Sequence, residues 1–190
     1  MRLAEIERHV SSMQELQRIV GAMRAIASMR VQEAVHALAS VREYGDALEQ
    51  GVREALAIAA EEREAAGDPP RPHGGRRVLV VFMSEHGFVG GFNERLIEAV
   101  SARIEPGDAL MVVGSRGAAL VAERRLAVIS ISIRAMATRL ASVPEAVRRL
   151  QESLYPGIAA AQIVHARVIF CRYRRTGSVD VAIRQLFPLE

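Results

Sequence analysis

Two glycine-rich turns are the segments of this sequence whose composition could bind a ligand. The first, G-F-V-G-G at residues 87–91, lies between a predicted strand and a predicted helix, where phosphates often bind. Its spacing is neither G-x-G-x-x-G nor G-x-x-x-x-G-K-[ST], and Phe88 and Phe92 stand where a phosphate would need bare backbone. We therefore predict a structural or docking turn. Its members are Gly87, Gly90, Gly91, Phe92 and Asn93.

The second turn is G-S-R-G at residues 114–117. It is a weak candidate for an anion site, because Arg116 is its only cation. The residues that would form this site are Gly114, Arg116 and Gly117.

No other group of residues has the spacing of a catalytic or metal site. The chain has no lysine, and its 25 basic residues are all arginine, which excludes a phosphate-loop lysine and a Schiff-base lysine. The five histidines are scattered, and we interpret the adjacent pair Glu85 and His86 as a solvated turn. Cys171 lies in an apolar segment and is interpreted as a buried thiol. We predict no catalytic residues, no metal site and no cofactor.

The composition is typical of a folded protein. Half of the 190 residues are hydrophobic, a quarter are charged and 4% are aromatic, which suffices for a packed core. No apolar run approaches the ~18 residues of a membrane helix, and the first ten residues lack the apolar part of a signal peptide. We expect a soluble, intracellular protein. No dense arginine run with interleaved aromatics occurs, so we predict no nucleic-acid binding.

The first predicted element along the chain is a long helix over residues 3–66. This segment has no proline, and its apolar residues recur every three or four positions. A helix of about 60 residues is ~90 Å long, and one with a narrow apolar stripe is not stable alone in water. We expect it to pack against another chain or a missing part of this one. The stripe, called here the apolar seam, consists of Leu3, Ile6, Val10, Met13, Leu16, Ile19, Met23, Ile26, Ala34, Leu38, Val41, Leu48, Val52 and Leu56.

The sequence after this helix predicts a Pro/Gly-rich linker followed by an α/β domain. The expected domains are therefore the long helix at 1–66, the linker at 67–76 and the α/β domain at 77–190. Strands are predicted at 77–83, 109–113, 127–133, 167–173 and 179–187, the last two joined as a hairpin. Helices are predicted to begin at an Asn93 cap, after Gly114, and at a capping box over 142–145, the last being interrupted by Pro156. The fold class is therefore α/β: a long N-terminal coiled-coil-type helix, then a Rossmann-like, mostly parallel sheet with helices on both faces.

Two long motifs resemble the gamma subunit of F-type ATP synthases. Residues 19–34, I-V-G-A-M-R-A-I-A-S-M-R-V-Q-E-A, are similar to the family signature I-T-K-A-M-K-M-V-A-A-A-K-L-R-K-A. Residues 84–93, S-E-H-G-F-V-G-G-F-N, resemble S-D-R-G-L-C-G-G-F-N. The turn at 114–117 resembles G-K-K-G, and Q-L-F-P-L at 185–189 resembles Q-L-L-P-L. The resemblance covers nearly the whole chain, and its departures suggest a divergent or alternative-type gamma subunit.

The resemblance implies a central-stalk rotor subunit that couples ion-driven rotation to ATP synthesis or hydrolysis at the beta subunits. The implied partners are the alpha and beta subunits of the head, the epsilon subunit and the membrane c-ring, at the cytoplasmic face of the membrane. The chain itself would be a non-catalytic subunit of a proton- or sodium-translocating complex, and would self-associate through its helix in isolation. The matching positions of the shaft motif, implied to contact the alpha/beta hexamer, are Met23, Arg24, Ala27 and Arg30.

In the family, a second long helix follows the Q-L-L-P-L strand and coils around the first. This sequence stops at Glu190, so we expect the chain to lack that helix. A cut product, a proteolysed fragment and a naturally short protein all remain open.

Two other hypotheses remain open as well. One is a small-molecule-binding or enzymatic α/β domain with a helical dimerisation arm, which requires a deep polar pocket at the turn of residues 87–91. The other is a non-motor coiled-coil adaptor, which requires a stable homodimer through residues 3–66.

Overall fold

A computed structural model describes residues 3–65, 74–126, 128, 130–174 and 178–188. The chain divides into two compact units, residues 1–55 and 56–190, which are described separately. The expected linker at 67–76 lies mostly outside the described residues, so the expected domain limits stay a prediction. Among the described helices, none combines the length and the apolar character needed to cross a bilayer.

The first unit lies within a continuous helix, α1, which spans Leu3–Ala65 and continues into the second unit. This confirms the helix predicted over residues 3–66. The glycines at positions 21, 45 and 51 do not break it, because good helix formers surround them. Polar pairs four residues apart add local support: Arg53 donates to Glu49 at 2.6 Å, and Gln50 donates to Glu54 at 3.1 Å.

The second unit contains a five-stranded sheet and three helices of eight or more residues. The order along the chain is β1 (Arg76–Phe82), α2 (Phe92–Ser101), β2 (Ala109–Val113), α3 (Ser115–Glu123), β3 (Ser130–Arg134), α4 (Val143–Ala159), β4 (Ile163–Tyr173) and β5 (Val179–Phe187), with a 3-10 turn at Leu140–Ser142. The strands lie in the order β3-β2-β1-β4-β5. Strands β1 to β4 pair in parallel and β5 pairs antiparallel with β4, which confirms the mostly parallel sheet and the final hairpin.

Helices cover both faces of the sheet, as expected, because alternate residues of β1 point to opposite sides. Leu79, Val81 and Met83 pack with the apolar sides of α2 and α3. Val78 and Val80 pack on the other side, with Leu154 of α4. A strand buried on both faces has no polar alternation, which explains the uniformly apolar run in β1.

The predicted boundaries hold for β2 and β5 and shift by one residue for β1. Strand β4 begins at Ile163, four residues earlier than predicted, because Ile163 and His165 pair with Arg76 and Arg77 of β1. The predicted strand at 127–133 is observed as β3 at Ser130–Arg134; residues 127 and 129 lie outside the described residues.

Two predictions about α4 are wrong. The side chain of Ser142 does not cap the helix; its hydroxyl donates to the carbonyl of Arg139 at 2.8 Å, while Glu145 pairs with Arg148 and Arg149. Pro156 does not interrupt the helix, which runs on to Ala159. A proline removes one backbone donor, but the carbonyl of Pro156 still accepts from the N–H of Ala160 at 3.0 Å.

Candidate functional site

Asn93 closes the base of the first glycine-rich turn. The backbone N–H of Ser84 donates to Asn93 Oδ1 at 3.0 Å, and Asn93 Nδ2 donates to Ser84 Oγ at 2.7 Å. The Asn93 side chain is only 1% exposed, so these two hydrogen bonds satisfy a buried amide. The predicted Asn93 cap is therefore wrong. Helix α2 starts at Phe92 after Gly91, and the Asn93 side chain is hydrogen-bonded to Ser84 at the other end of the turn.

The tip of this turn lies in solvent. Phe88 is fully exposed, at 106% of its reference area, and has a φ of +60°. Gly90 also has a positive φ, +54°, which glycine adopts without strain. The backbone of Gly87 and Gly91 has open space around it. An aromatic side chain held out into water at the tip of a closed turn suits a contact with another surface better than a phosphate cradle.

The second glycine-rich turn is packed tightly against the end of β1. Gly114 has a φ of +122°, and a Cβ there would lie 2.5 Å from the carbonyl oxygen of Met83. A Cβ on Gly117 would lie 2.2 Å from Met83 Cβ. The Gly117 N–H donates to the carbonyl of Ser84 at 3.1 Å. The two glycines thus let α3 approach β1, and the gap in which a bound anion would sit is filled by protein. Arg116, the only cation of the turn, is exposed.

Glu85 joins the two turns to a third segment, which the sequence did not indicate. Its carboxylate accepts hydrogen bonds from Ser115 N at 3.1 Å, Ser115 Oγ at 2.7 Å and Met136 N at 2.9 Å. These donors, led by the Met136 N–H, hold the pKa of the Glu85 carboxyl below its usual range. Our interpretation of Glu85 and His86 as a merely solvated turn was wrong for Glu85, because Met136 lies 51 positions away in the sequence.

The chemistry open to this edge of the sheet is limited. Within the described residues, no group of three or more histidine, cysteine or acidic side chains could hold a metal ion. The Cys171 thiol is half-buried, and burial raises its pKa, which disfavours the reactive thiolate. Asn93, Ser84 and Glu85 are all engaged in hydrogen bonds within the turns. The arrangement positions a projecting surface and offers no activated nucleophile.

The other predicted site lies on α1. Positions 23, 27 and 30 are separated by four and three residues, so Met23, Ala27 and Arg30 share one side of the helix, with Arg24 beside them. Met23 is 59% exposed. These residues lie in the first unit, residues 1–55, and the two turns lie in the second unit.

The apolar seam of α1 is exposed along its length. Leu3, Ile6, Met13, Ile19 and Ile26 each expose between 45% and 73% of their reference area. Burial of such a side chain is worth about 1.5–3 kcal/mol. A row of exposed apolar side chains of this length is typical of an interaction surface, because monomeric proteins rarely expose large apolar patches.

Comparison with known proteins identifies the family. A family model described as ATP synthase matches residues 2–190. The ATP synthase gamma chain of Phenylobacterium zucineum (strain HLK1) is 27% identical over 204 residues, covering 99% of this chain and 66% of that one. The ATP synthase gamma chain of Solibacter usitatus (strain Ellin6076) is 30% identical over 101 residues, covering 52% of this chain and 35% of that one. This chain therefore spans about two thirds or less of the length of these relatives.

Solved structures with a similar chain come from mitochondrial ATP synthases. One is the central stalk and c-ring of the Tetrahymena thermophila enzyme, with a TM-score of 0.49 and 14% identity, covering 70% of this chain and 59% of that one. Another is an assembly of the Euglena gracilis enzyme, with a TM-score of 0.44 and 12% identity, covering 80% of this chain and 55% of that one.

Proposed function

This chain belongs to the ATP synthase gamma family, and we propose from that premise that it acts as a central-stalk rotor subunit. In this role the chain transmits torque between an ion-driven c-ring and a head of alpha and beta subunits, where ATP is made or hydrolysed. The ion is a proton or sodium. The complex lies at the cytoplasmic face of the membrane, and this chain contributes no catalytic residue to it.

The observation that carries the proposal is the exposed apolar seam of α1. A helix of 63 residues that exposes apolar side chains along its length needs a partner surface of comparable length. A hexameric head with a central opening offers such a surface, and a relative's second helix offers another. The segment that contains Met23, Arg24, Ala27 and Arg30 is the part of α1 that we propose to contact the alpha/beta hexamer.

The two glycine-rich turns support a second part of the proposal, which is a contact with a further subunit. The exposed Phe88, held by the Asn93–Ser84 hydrogen bonds, forms a docking point for a further subunit, of which beta and epsilon are the candidates. The turn at 114–117 contributes indirectly, because Gly114 and Gly117 fix the position of the first turn through Met83 and Ser84. The enzymatic alternative is not favoured, because the first turn is exposed and the second is filled.

The experiment is co-expression of the full chain with the alpha and beta subunits of its own organism. We expect the three chains to copurify as one complex. The variant Ile19→Glu with Ile26→Glu places two charges in the seam and should abolish copurification. The matched control, Gln14→Glu with Gln32→Glu, adds the same charge on the opposite side of the helix and should assemble normally.

Two results would count against the rotor role. One is a chain that never copurifies with alpha and beta while circular dichroism shows it folded. The other is a seam variant that assembles as well as its control. A stable homodimer of the chain that excludes alpha and beta would favour the adaptor hypothesis instead.

A further inference from the structure

A small basic pocket lies at the opposite edge of the sheet from the two turns. Its volume is about 100 Å³, and it is lined by Arg77, Val78, Leu79, Arg103, His165 and Arg167. The parallel register places Arg77 opposite His165, and Leu79 opposite Arg167, near the starts of β1 and β4. Arg103 follows the end of α2 and closes the rim. Three arginines and one histidine therefore line the pocket together with two apolar residues.

One of these cations is already neutralised and fixed. Arg77 donates two hydrogen bonds to the buried Asp108, both at 2.8 Å, and also pairs with Glu105 at 3.0 Å. Asp108 also accepts from the N–H of Glu105 at 2.8 Å, so its carboxylate is fully committed to the structure. Arg77 therefore acts as a rigid wall of the pocket, and its positive charge is outweighed by the two carboxylates that it binds.

The other two arginines keep their positive charge available. Arg103 donates to the carbonyl of Ala99 at 3.0 Å and has no carboxylate within ion-pair distance among the described residues. Neither Arg167 nor His165 forms a side-chain hydrogen bond or an ion pair with any residue in the described ranges. Uncompensated guanidinium groups that converge on one small space attract an anion, and the planar fork of arginine suits an oxyanion in particular.

The surrounding edge strengthens this field. Arg76 begins β1, and Arg124 and Arg125 follow α3, whose end lies at the same edge because the helix runs antiparallel to the strands. Among the described acidic residues, Glu105 and Asp108 pair with Arg77, and Glu123 ends α3. Positive charge spread around a small concavity raises the local concentration of anions.

We propose that this pocket binds a single tetrahedral oxyanion, of the class of phosphate or sulfate. The space of about 100 Å³ is large enough for one such ion. The oxyanion is either free in solution or the terminal phosphate of a larger molecule whose remainder lies outside. Both sources present the same charged oxygens to Arg103 and Arg167.

The test is an NMR titration of the full isotope-labelled chain with sodium phosphate, at ionic strength held constant with sodium chloride. We expect saturable shifts of the Val78 and Leu79 amides, with a dissociation constant in the millimolar range. The variant Arg103→Gln with Arg167→Gln should weaken binding at least tenfold. The matched control, Arg76→Gln with Arg124→Gln, removes the same charge from the same edge outside the pocket; it weakens only the surrounding field and should lower the affinity by no more than about twofold.

A parallel titration with ATP distinguishes the two sources. Saturation of the same amides by phosphate supports the free ion, and saturation by ATP alone supports a terminal phosphate. Linear shifts with both ligands, or equal losses in the two double variants, would overturn the proposal, since either result reports only general charge attraction. Thermal melts check that each variant is folded. If the double variant unfolds, Arg167→Gln against Arg76→Gln gives the same comparison with an expected loss of at least threefold.

Discussion

At the residue scale, Glu85 is the side chain that holds three segments together at the carboxyl edge of the sheet. Its oxygens receive two hydrogen bonds from Ser115 and one from the Met136 N–H. The sequence identified both turns from their glycines but gave no sign of this connection. Hydrogen bonds between segments 30 and 51 positions apart depend on the packing of β1, β2 and β3 and leave no local pattern.

We predict that Glu85→Gln lowers the free energy of unfolding by about 1–2 kcal/mol at pH 7. The amide keeps one acceptor oxygen but loses the charge that strengthens these hydrogen bonds, and the partial exposure of the site places the effect at the lower end. Urea denaturation of the full chain measures the difference. Glu98→Gln, an exposed change in α2, should alter stability by less than about 0.5 kcal/mol.

The same variant has a predicted pH dependence. The pKa of Glu85 is lower in the folded chain than its ordinary value of 4.5, so the folded state favours the ionised carboxylate. Its stabilisation is fully present above the unfolded pKa and is lost as the pH falls through the folded pKa. The stability gap between the wild-type chain and Glu85→Gln should therefore shrink in acid. A gap that stayed constant between pH 7 and pH 3 would show that Glu85 acts through its shape alone.

Glycines in the two turns should respond differently to a methyl group. Gly117→Ala would drive a Cβ into Met83, and we predict a loss of about 2–4 kcal/mol or failure to fold. Gly91→Ala has open space and a φ of −77°, so it should change stability by less than about 1 kcal/mol. Thermal denaturation compares them. Equal losses in the two variants would contradict the close approach of α3 to β1.

At the element scale, the sequence correctly predicted the helices and strands whose bounds depend on the local pattern of apolar residues. The repeat of apolar residues gave α1 to within one residue, and uninterrupted apolar runs gave β2. It failed where a distant element decides the outcome. Strand β4 starts early because β1 supplies its partner. Helix α4 continues through Pro156, and the next residue, Gly157, lies directly against Ile163 of β4, where a Cβ would be 2.6 Å from its side chain.

The exposed seam of α1 leads to a prediction about self-association. We expect the isolated full chain to associate at high concentration, because contact between two seams removes apolar side chains from water. Ile19→Gln with Ile26→Gln should shift the association to at least tenfold higher concentration. Ala25→Gln with Ser28→Gln, on the other side of the helix, should not. Sedimentation velocity measures both, and a strictly monomeric chain with full helix content would contradict the prediction.

At the scale of the whole molecule, the described residues combine a long helix that exposes apolar side chains with an α/β domain whose buried side-chain polar atoms are hydrogen-bonded. The Rossmann-like topology alone would suggest nucleotide binding, since ligands of such sheets bind at the carboxyl ends of the strands. Here Met83, Gly114 and Gly117 fill the space after β1 and β2, and Asn93 closes the turn beside it. This geometry supports the proposal that the fold serves as a scaffold for contacts with partner subunits.

This leads to a prediction about ATP. The isolated chain should bind ATP no more tightly than the millimolar range, because it has neither a phosphate-loop lysine nor a free backbone cradle at residues 87–91. Isothermal titration calorimetry on the full chain tests this. Micromolar affinity that disappears on changing Gly90→Ala, but not Gly74→Ala, would favour the enzymatic alternative.

The last prediction concerns torque in the assembled complex. Arg24 and Arg30 lie within two turns of α1, in the segment that we propose to contact the alpha/beta hexamer. Two cations in that segment would attract an acidic surface of the hexamer. Reversing both charges, Arg24→Glu with Arg30→Glu, turns attraction into repulsion at a partly screened contact worth about 1 kcal/mol or less per pair. That is too little to dissociate a large complex, but enough to slow a rotation step several-fold. We therefore expect normal copurification with reduced ATP hydrolysis or weakened coupling to ion pumping, measured on reconstituted vesicles.

The control Arg42→Glu with Arg53→Glu makes the same charge change farther along the helix and should leave both rates within about twofold. Unchanged hydrolysis and pumping in the first variant would mean that these arginines only face solvent.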